Sequence, residues 1–514
     1  MTLEKYLSPT IVLLLLISLA GCQPTTPNPN QNQETPGLAP DSVAGFPHLK
    51  ETARLALPSG DIRWISPKDI SLDGNQLAII ANDNQYETLW IYSLANQEGK
   101  SVYSIPAAEV SAGRLVLITV DWTKDDKLVF ARQGTQPDGT HEGKRGLLLL
   151  TADPESGTTQ ELSWLPNPES YIKQILLNRE SDLVLVHMGD TLWQVPLSGA
   201  STKVVRTDLP RYDGLFFLQP SPEKAKFVYE LFEPEKRGIY LLDVSTGTET
   251  CLAKAGDTFS FSPQWSPDGQ HIAFYTADTK SDAPAPGEHK ILAEQYDIVE
   301  GEDAPAPIAS TIEVVTVTGQ KITGLTVPGR KVGRFTWASD GKHLAFLSTE
   351  DATAVTHEYL GPVFEWHSLY MADLTGNITK IADIPEGTLD VTILTVLDNK
   401  AYYLTYSEKE TALWLAQAGQ EPKKLELPAG VPVSETGTLV PLYPQSVLAD
   451  SLFLTYISQN KSYYLQVWQD QVNLLAEDSL DSSLVAAAKD KVILTSTGQG
   501  THQSGQLTIF ILEQ

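Results

Sequence analysis

Gln264-Trp265-Ser266-Pro267-Asp268-Gly269-Gln270-His271-Ile272-Ala273-Phe274 writes a strand, a tight turn and a second strand in one short stretch. Pro267 pre-sets the backbone for the second position of a type I turn, Asp268 can bond nearby amides, and Gly269 takes the positive φ that follows. Two antiparallel strands therefore meet here. After the turn, Ile272 and Phe274 alternate with His271 and Ala273, the period-two pattern of a strand with two unlike faces.

The frame recurs. Trp337-Ala338-Ser339-Asp340-Gly341-Lys342-His343-Leu344-Ala345-Phe346 keeps the Trp, Asp, Gly, His, Ala and Phe, and Ile70-Ser71-Leu72-Asp73-Gly74-Asn75-Gln76-Leu77-Ala78-Ile79 fits it throughout. Trp122 to Phe130 is one residue short, and Pro220 to Tyr229 keeps Ser-Pro but turns on Glu223 and Lys224. Eroded copies centre on Glu180-Ser181, Asp398-Asn399, Ala449-Asp450 and Lys489-Asp490. A further strand pattern follows most hairpins, as at Leu89-Trp90-Ile91-Tyr92, Ile239-Tyr240-Leu241-Leu242-Asp243 and Leu369-Tyr370-Met371-Ala372-Asp373. A polar turn and a short fourth strand come next. Four strands per unit, at a period of roughly 40 to 70 residues, mark the blades of a β-propeller.

The Ser-Pro-Asp-Gly hairpin followed by Ile-Tyr-x-x-Asp resembles the repeat of TolB-type β-propellers, shared with the propellers of prolyl-oligopeptidase-like peptidases and oligogalacturonate lyases. The resemblance covers most of residues 49–514. It implies an all-β fold, a single propeller of eight or nine four-stranded blades, in which Asp73, Gly74, Trp265, Pro267, Asp268, Gly269, Trp337, Asp340 and Gly341 are structural turn residues. Leu55-Ala56-Leu57-Pro58 precedes the first hairpin and reads as a fourth strand lacking its first three, whereas the last unit supplies three strands and ends. The N-terminal strand is therefore expected to close the ring and hide both sheet edges.

Residues 1–22 read as a processing signal: Lys5, an apolar run from Ile11 to Leu19, then Leu19-Ala20-Gly21-Cys22. That tetrapeptide resembles a bacterial lipobox, which implies cleavage before Cys22 and a diacylglyceryl anchor on its thiol. The apolar run is short for a membrane span. Residues 23–46 are rich in Pro, Asn, Gln and Thr and are expected to form a disordered spacer before a propeller at 47–514. The chain is thus expected to be exported and lipid-anchored at a cell or outer membrane, facing the periplasm or exterior. There are two cysteines, so lipidation of Cys22 leaves Cys251 without a partner in the chain. Cys251 is expected to be a small apolar residue on a fourth strand.

A net charge of −27, from 37 basic and 64 acidic residues, makes nucleic acid and anionic membrane surfaces poor partners for the body. No basic stripe stands out. A monomer that engages another envelope protein is the expected state.

Links between second and third strands emerge together on one propeller face, and three are long: 131–145, 277–310 and 350–367. The last two belong to neighbouring units and should lie side by side, where loops carry binding sites. Their candidate binding residues are Tyr296, His357, Tyr359, Phe364, Trp366 and His367, since aromatic and acidic groups on a loop could stack a sugar or anchor a peptide. The aromatics could equally pack the loops onto the ring.

A serine peptidase would need a Gly-x-Ser-x-Gly elbow, and no such pentapeptide occurs. His141, His289, His357, His367 and His502 all fall in second-to-third-strand links, yet none forms a short ligand signature such as His-Glu-x-x-His. Phosphate loops, dinucleotide fingerprints and zinc-type Cys pairs are absent too. No catalytic residue, metal or cofactor is expected. The sequence points to a non-catalytic protein-binding module, with a propeller enzyme acting on an envelope or extracellular polysaccharide as the alternative.

Overall fold

The computed structural model describes residues 49–56, 61–64, 70–82, 85–113, 115–136, 139–166, 172–209, 218–231, 236–254, 258–278, 310–350, 355–357, 361–363, 365–432, 438–441, 447–448, 451–458, 461–479, 485–488, 491–496 and 506–512. The signal segment with Cys22 and the spacer lie outside the described residues. Among those described, no helix is long and apolar enough to cross a membrane.

The repeat units become antiparallel sheets, numbered here as blades in chain order. Blade 1 runs from Asp61 to Pro106, blade 2 from Leu115 to Pro166, blade 3 from Ile172 to Arg206 and blade 4 from Gln219 to Lys254. Blade 5 spans Thr258 to Leu325, blade 6 Lys331 to Asp383, blade 7 Asp390 to Leu425 and blade 8 Thr438 to Ser479. Blade 9 takes Val485–Ala488, Lys491–Ser496 and Gln506–Leu512 from the C-terminal end and its fourth strand, Leu49–Ala56, from the N-terminal end. The N-terminal strand therefore completes the last blade as the sequence predicts, beginning at Leu49, ahead of the expected Leu55. Eight sheets have four strands, and blade 8 adds a short fifth, Val447–Leu448. The blades number nine among the described residues.

The signature turns form as their residue types dictate. The Gly269 amide donates to the Ser266 carbonyl at 2.9 Å, and Gly269 sits at φ 68°. Asp268 accepts from the Ser266 hydroxyl at 2.6 Å and from the Gln270 amide at 3.0 Å, so the side chain closes the turn. Asp73 does the same from Ser71 and Asn75. In blade 6, Ala338 replaces that serine, and Asp340 takes over its role by accepting the His343 amide at 3.1 Å. Asp126, Asp182 and Lys224 occupy positive φ where the stronger copies use glycine.

Packing between blades explains the alternation in the second strands. Ile272 and Phe274 face blade 4, while Ala273 faces blade 6. Leu344 and Phe346 of blade 6 point back at Ala273, and Ala345 turns toward Tyr403 of blade 7. Both strand faces are thus buried, with large residues set into the space left by small ones. Comparable clusters join every successive pair from blade 1 to blade 8.

Cys251 corrects its expectation in one respect. It lies on the fourth strand of blade 4, Glu249–Lys254, but its side chain is exposed. An outermost strand has a neighbour on one edge alone, so its outward positions meet solvent.

Candidate functional site

Antiparallel succession puts the first-to-second and third-to-fourth turns on one face of the ring, here the turn face. The second-to-third links and the blade-to-blade connections share the other, here the link face. The turn face is knitted by its own side chains: Asp243 and Asp373 cap third-to-fourth turns as Asp73 and Asp268 cap the first ones. The Gly341 position lies so close to the Asp268 carboxylate that a Cβ there would stand 2.9 Å from its carbon.

The link face carries the irregular chain. In blade 5 the second strand ends at Asp278 and the third begins at Thr311; in blade 6 the corresponding limits are Thr349 and Ser368. The blade 6 insertion matches its predicted bounds, and that of blade 5 begins two residues later than expected. The blade 2 link is shorter than expected, because the second strand continues to Thr135 and the third starts at Arg145. Within the blade 6 insertion, Val355–His357 pairs with Gly361–Val363 as a separate two-stranded sheet.

Of the expected binding residues, Tyr296, Tyr359 and Phe364 lie outside the described residues, as does the side chain of His357. Trp366 and His367 are described, and both have structural contacts. The Trp366 ring covers Gly333, where a Cβ would come within 2.2 Å of it, and packs with the core between blades 6 and 7. His367 Nδ1 lies 3.1 Å from the Thr349 hydroxyl, and its amide donates to the Ser348 carbonyl at 3.0 Å. Together they pin the foot of the insertion to its blade.

His141 also reaches the link face, in the short turn Gly139–His141. Its ring stacks on Trp164 with centroids 4.5 Å apart, and Nε2 lies 3.5 Å from Glu161. His271 and His343 sit beside Asp268 and Asp340 of their own turns, at 3.8 and 2.6 Å, as repeat positions should. Among the described residues, no group of three His, Cys, Asp or Glu side chains is placed to hold a metal ion.

Two polar groups that sequence reading did not single out lie between blades. Glu230, on the second strand of blade 4, accepts the Ser262 amide of blade 5 at 2.5 Å, and Ser262 sits at φ 52° in a bulge of its strand. Burial pushes its carboxyl up to about 7, against the opposing pull of that amide and of Arg237. Glu87 of blade 1 is fully buried and accepts the Leu117 amide of blade 2 at 3.3 Å. Nearby, Arg132 Nε donates to Gln136 Oε1 at 2.5 Å and its guanidinium lies over Tyr103. Neither carboxylate falls in a motif, so no local signal marked them.

No protein-family description and no curated protein matches the chain. Among solved structures, one described as the eukaryotic initiation factor superposes with a TM-score of 0.50 at 12% identity, over 85% of this chain and 93% of that one. A putative TolB from Agrobacterium tumefaciens aligns at 14% identity and TM-score 0.26, over 58% of this chain and 89% of its own. A prolyl endopeptidase gives 10% identity and TM-score 0.39 over 88% of this chain, which spans 54% of the peptidase. At such identities the likeness is one of fold, and the fold is a β-propeller.

Proposed function

We propose that this chain is a cell-envelope lipoprotein, anchored through Cys22, whose propeller is a non-catalytic protein-binding module. Its binding surface is the link face of blades 5 and 6. The observation that carries this reading is the extra two-stranded sheet of Val355–His357 and Gly361–Val363, inserted between the second and third strands of blade 6 and part of no blade sheet. A link that carries strands of its own is where loop-borne recognition is expected.

The test is crosslinking and capture in cells of the full-length protein against a variant with residues 279–309 and 351–364 replaced by short Gly-Ser links. Trp366 and His367 stay, because they hold blade 6. A defined protein captured by the intact form and lost from the variant supports the reading, whereas capture that ignores the loops overturns it.

A further inference from the structure

We infer that the partner is received as an added β-strand: an extended peptide segment of another protein pairs, backbone to backbone, with the Val355–His357 edge of the small sheet in the blade 6 insertion. This deepens the protein-binding role proposed above and rests on it. The two strands run antiparallel, with Val355 opposite Val363, Thr356 opposite Pro362 and His357 opposite Gly361. In such a pair, residues that exchange ladder bonds alternate with residues whose N–H and C=O point away from each other. Proline has no N–H, so Thr356 and Pro362 are not an exchanging pair. The bonds therefore fall on the flanking pairs: the Val363 amide donates to the Val355 carbonyl, and the His357 amide to the Gly361 carbonyl. The amide and carbonyl of Thr356 point outward, away from Pro362.

The two edges of the sheet are consequently unlike. Outward from Gly361–Val363, Pro362 offers a carbonyl and no donor, which blunts that edge. Outward from Val355–His357, Thr356 offers both groups that one residue of an added strand requires. Among the described residues, neither strand pairs with a third. Two strands of three residues each make a marginal sheet, and a third strand extends it. That is the chemistry of strand addition, in which main-chain bonds supply affinity and the partner's side chains refine the choice. The occupant is therefore a segment of another protein that is free to extend and keeps its own N–H opposite Thr356, rather than a helix. The chain's own blade 5 insertion is the competing occupant.

The test follows amide hydrogen exchange, residue by residue, in the full-length protein alone and with the purified protein that the capture experiment identifies. In the free protein the Thr356 amide should exchange roughly tenfold or more faster than those of His357 and Val363, and the partner should remove that difference. Thr356→Pro should weaken partner binding roughly tenfold, since it deletes the donor, whereas Thr356→Ala keeps the amide and should change binding by less than about twofold. Unchanged melting temperatures show that both variants retain the blades. Binding that survives Thr356→Pro, or a Thr356 amide left unprotected in the complex, overturns strand addition; the link-face site still stands if replacing 351–364 abolishes capture. A Thr356 amide that is slow in the free protein and quickens when 279–309 is replaced assigns the edge to the blade 5 insertion, and overturns the inference too. Capture that ignores both loops, or no capture, sinks the protein-binding reading and this one with it.

Discussion

Trp265 Nε1 donates to the carbonyl oxygen of Gln219 at 3.0 Å, across the seam between blades 4 and 5. One seam further on, Trp337 Nε1 reaches the carbonyl of Gln264 at 3.4 Å. In these two units the tryptophan is thus a stitch to the first strand of the preceding blade, a bond that Trp122, at the same position of blade 2, does not make. Trp265→Phe keeps the apolar bulk and loses the bond, so it should cost about 1 kcal/mol. Trp337→Phe should cost less, its bond being longer. Trp337→Ala should cost about 3–5 kcal/mol through the cavity. Thermal melts of the three variants check the ranking.

Asp121 joins three blades. Its carboxylate, almost fully buried at the end of the first strand of blade 2, is bonded by Arg179 Nη2 of blade 3 and lies 3.2 Å from Lys224 Nζ of blade 4. Removing it leaves two half-buried cations facing each other. Asp121→Ala should destabilise by about 3 kcal/mol or more, whereas Lys224→Met should cost about 1 kcal/mol at most. Chemical denaturation of both variants measures the difference.

Asp182 holds φ 51° where stronger repeats carry glycine, and its ion pair with Lys124, at 3.8 Å, is largely exposed. Asp182→Gly should therefore gain up to about 1 kcal/mol, because relief of the left-handed strain exceeds the loss of a surface pair. Gly341→Ala should lose about 1–2 kcal/mol, since φ is 66° and the new Cβ meets Asp268. Opposite shifts in melting temperature are the expected result.

His187 is almost fully buried on the second strand of blade 3, and burial with the nearby Lys173 holds its pKa down to about 4, against a weaker upward pull from Asp190. The folded protein thus resists a proton that the unfolded chain binds from about pH 6.5 downward. Stability from this residue is complete above pH 6.5 and falls as pH drops toward 4, by a loss of order 3 kcal/mol. His187→Leu should flatten the fall in melting temperature between those limits. An unchanged slope would place the acid sensitivity elsewhere.

Much of this architecture was legible in local residue chemistry. Pro267, Asp268 and Gly269 encode a turn whatever surrounds them, and the limits of the insertions after Asp278 and Thr349 could be placed because strand alternation stops there. The site was less legible. Trp366 and His367 looked like candidates because they are aromatic and in a loop, yet Gly333 and Thr349, distant in sequence, hold them in place. Glu230 and Glu87 carried no motif because their environments come from other blades.

The sequence by itself determined the repeat, the turns and the closing of the last blade by the first strand, since each depends on contacts within a few residues or on a strand count. The tertiary structure alone decided that the blades number nine among the described residues, that Trp265 and Trp337 stitch neighbours, that Cys251 faces solvent and that the closing strand begins at Leu49. Those facts depend on which blade lies beside which and on strand direction, and neither is written in any single repeat.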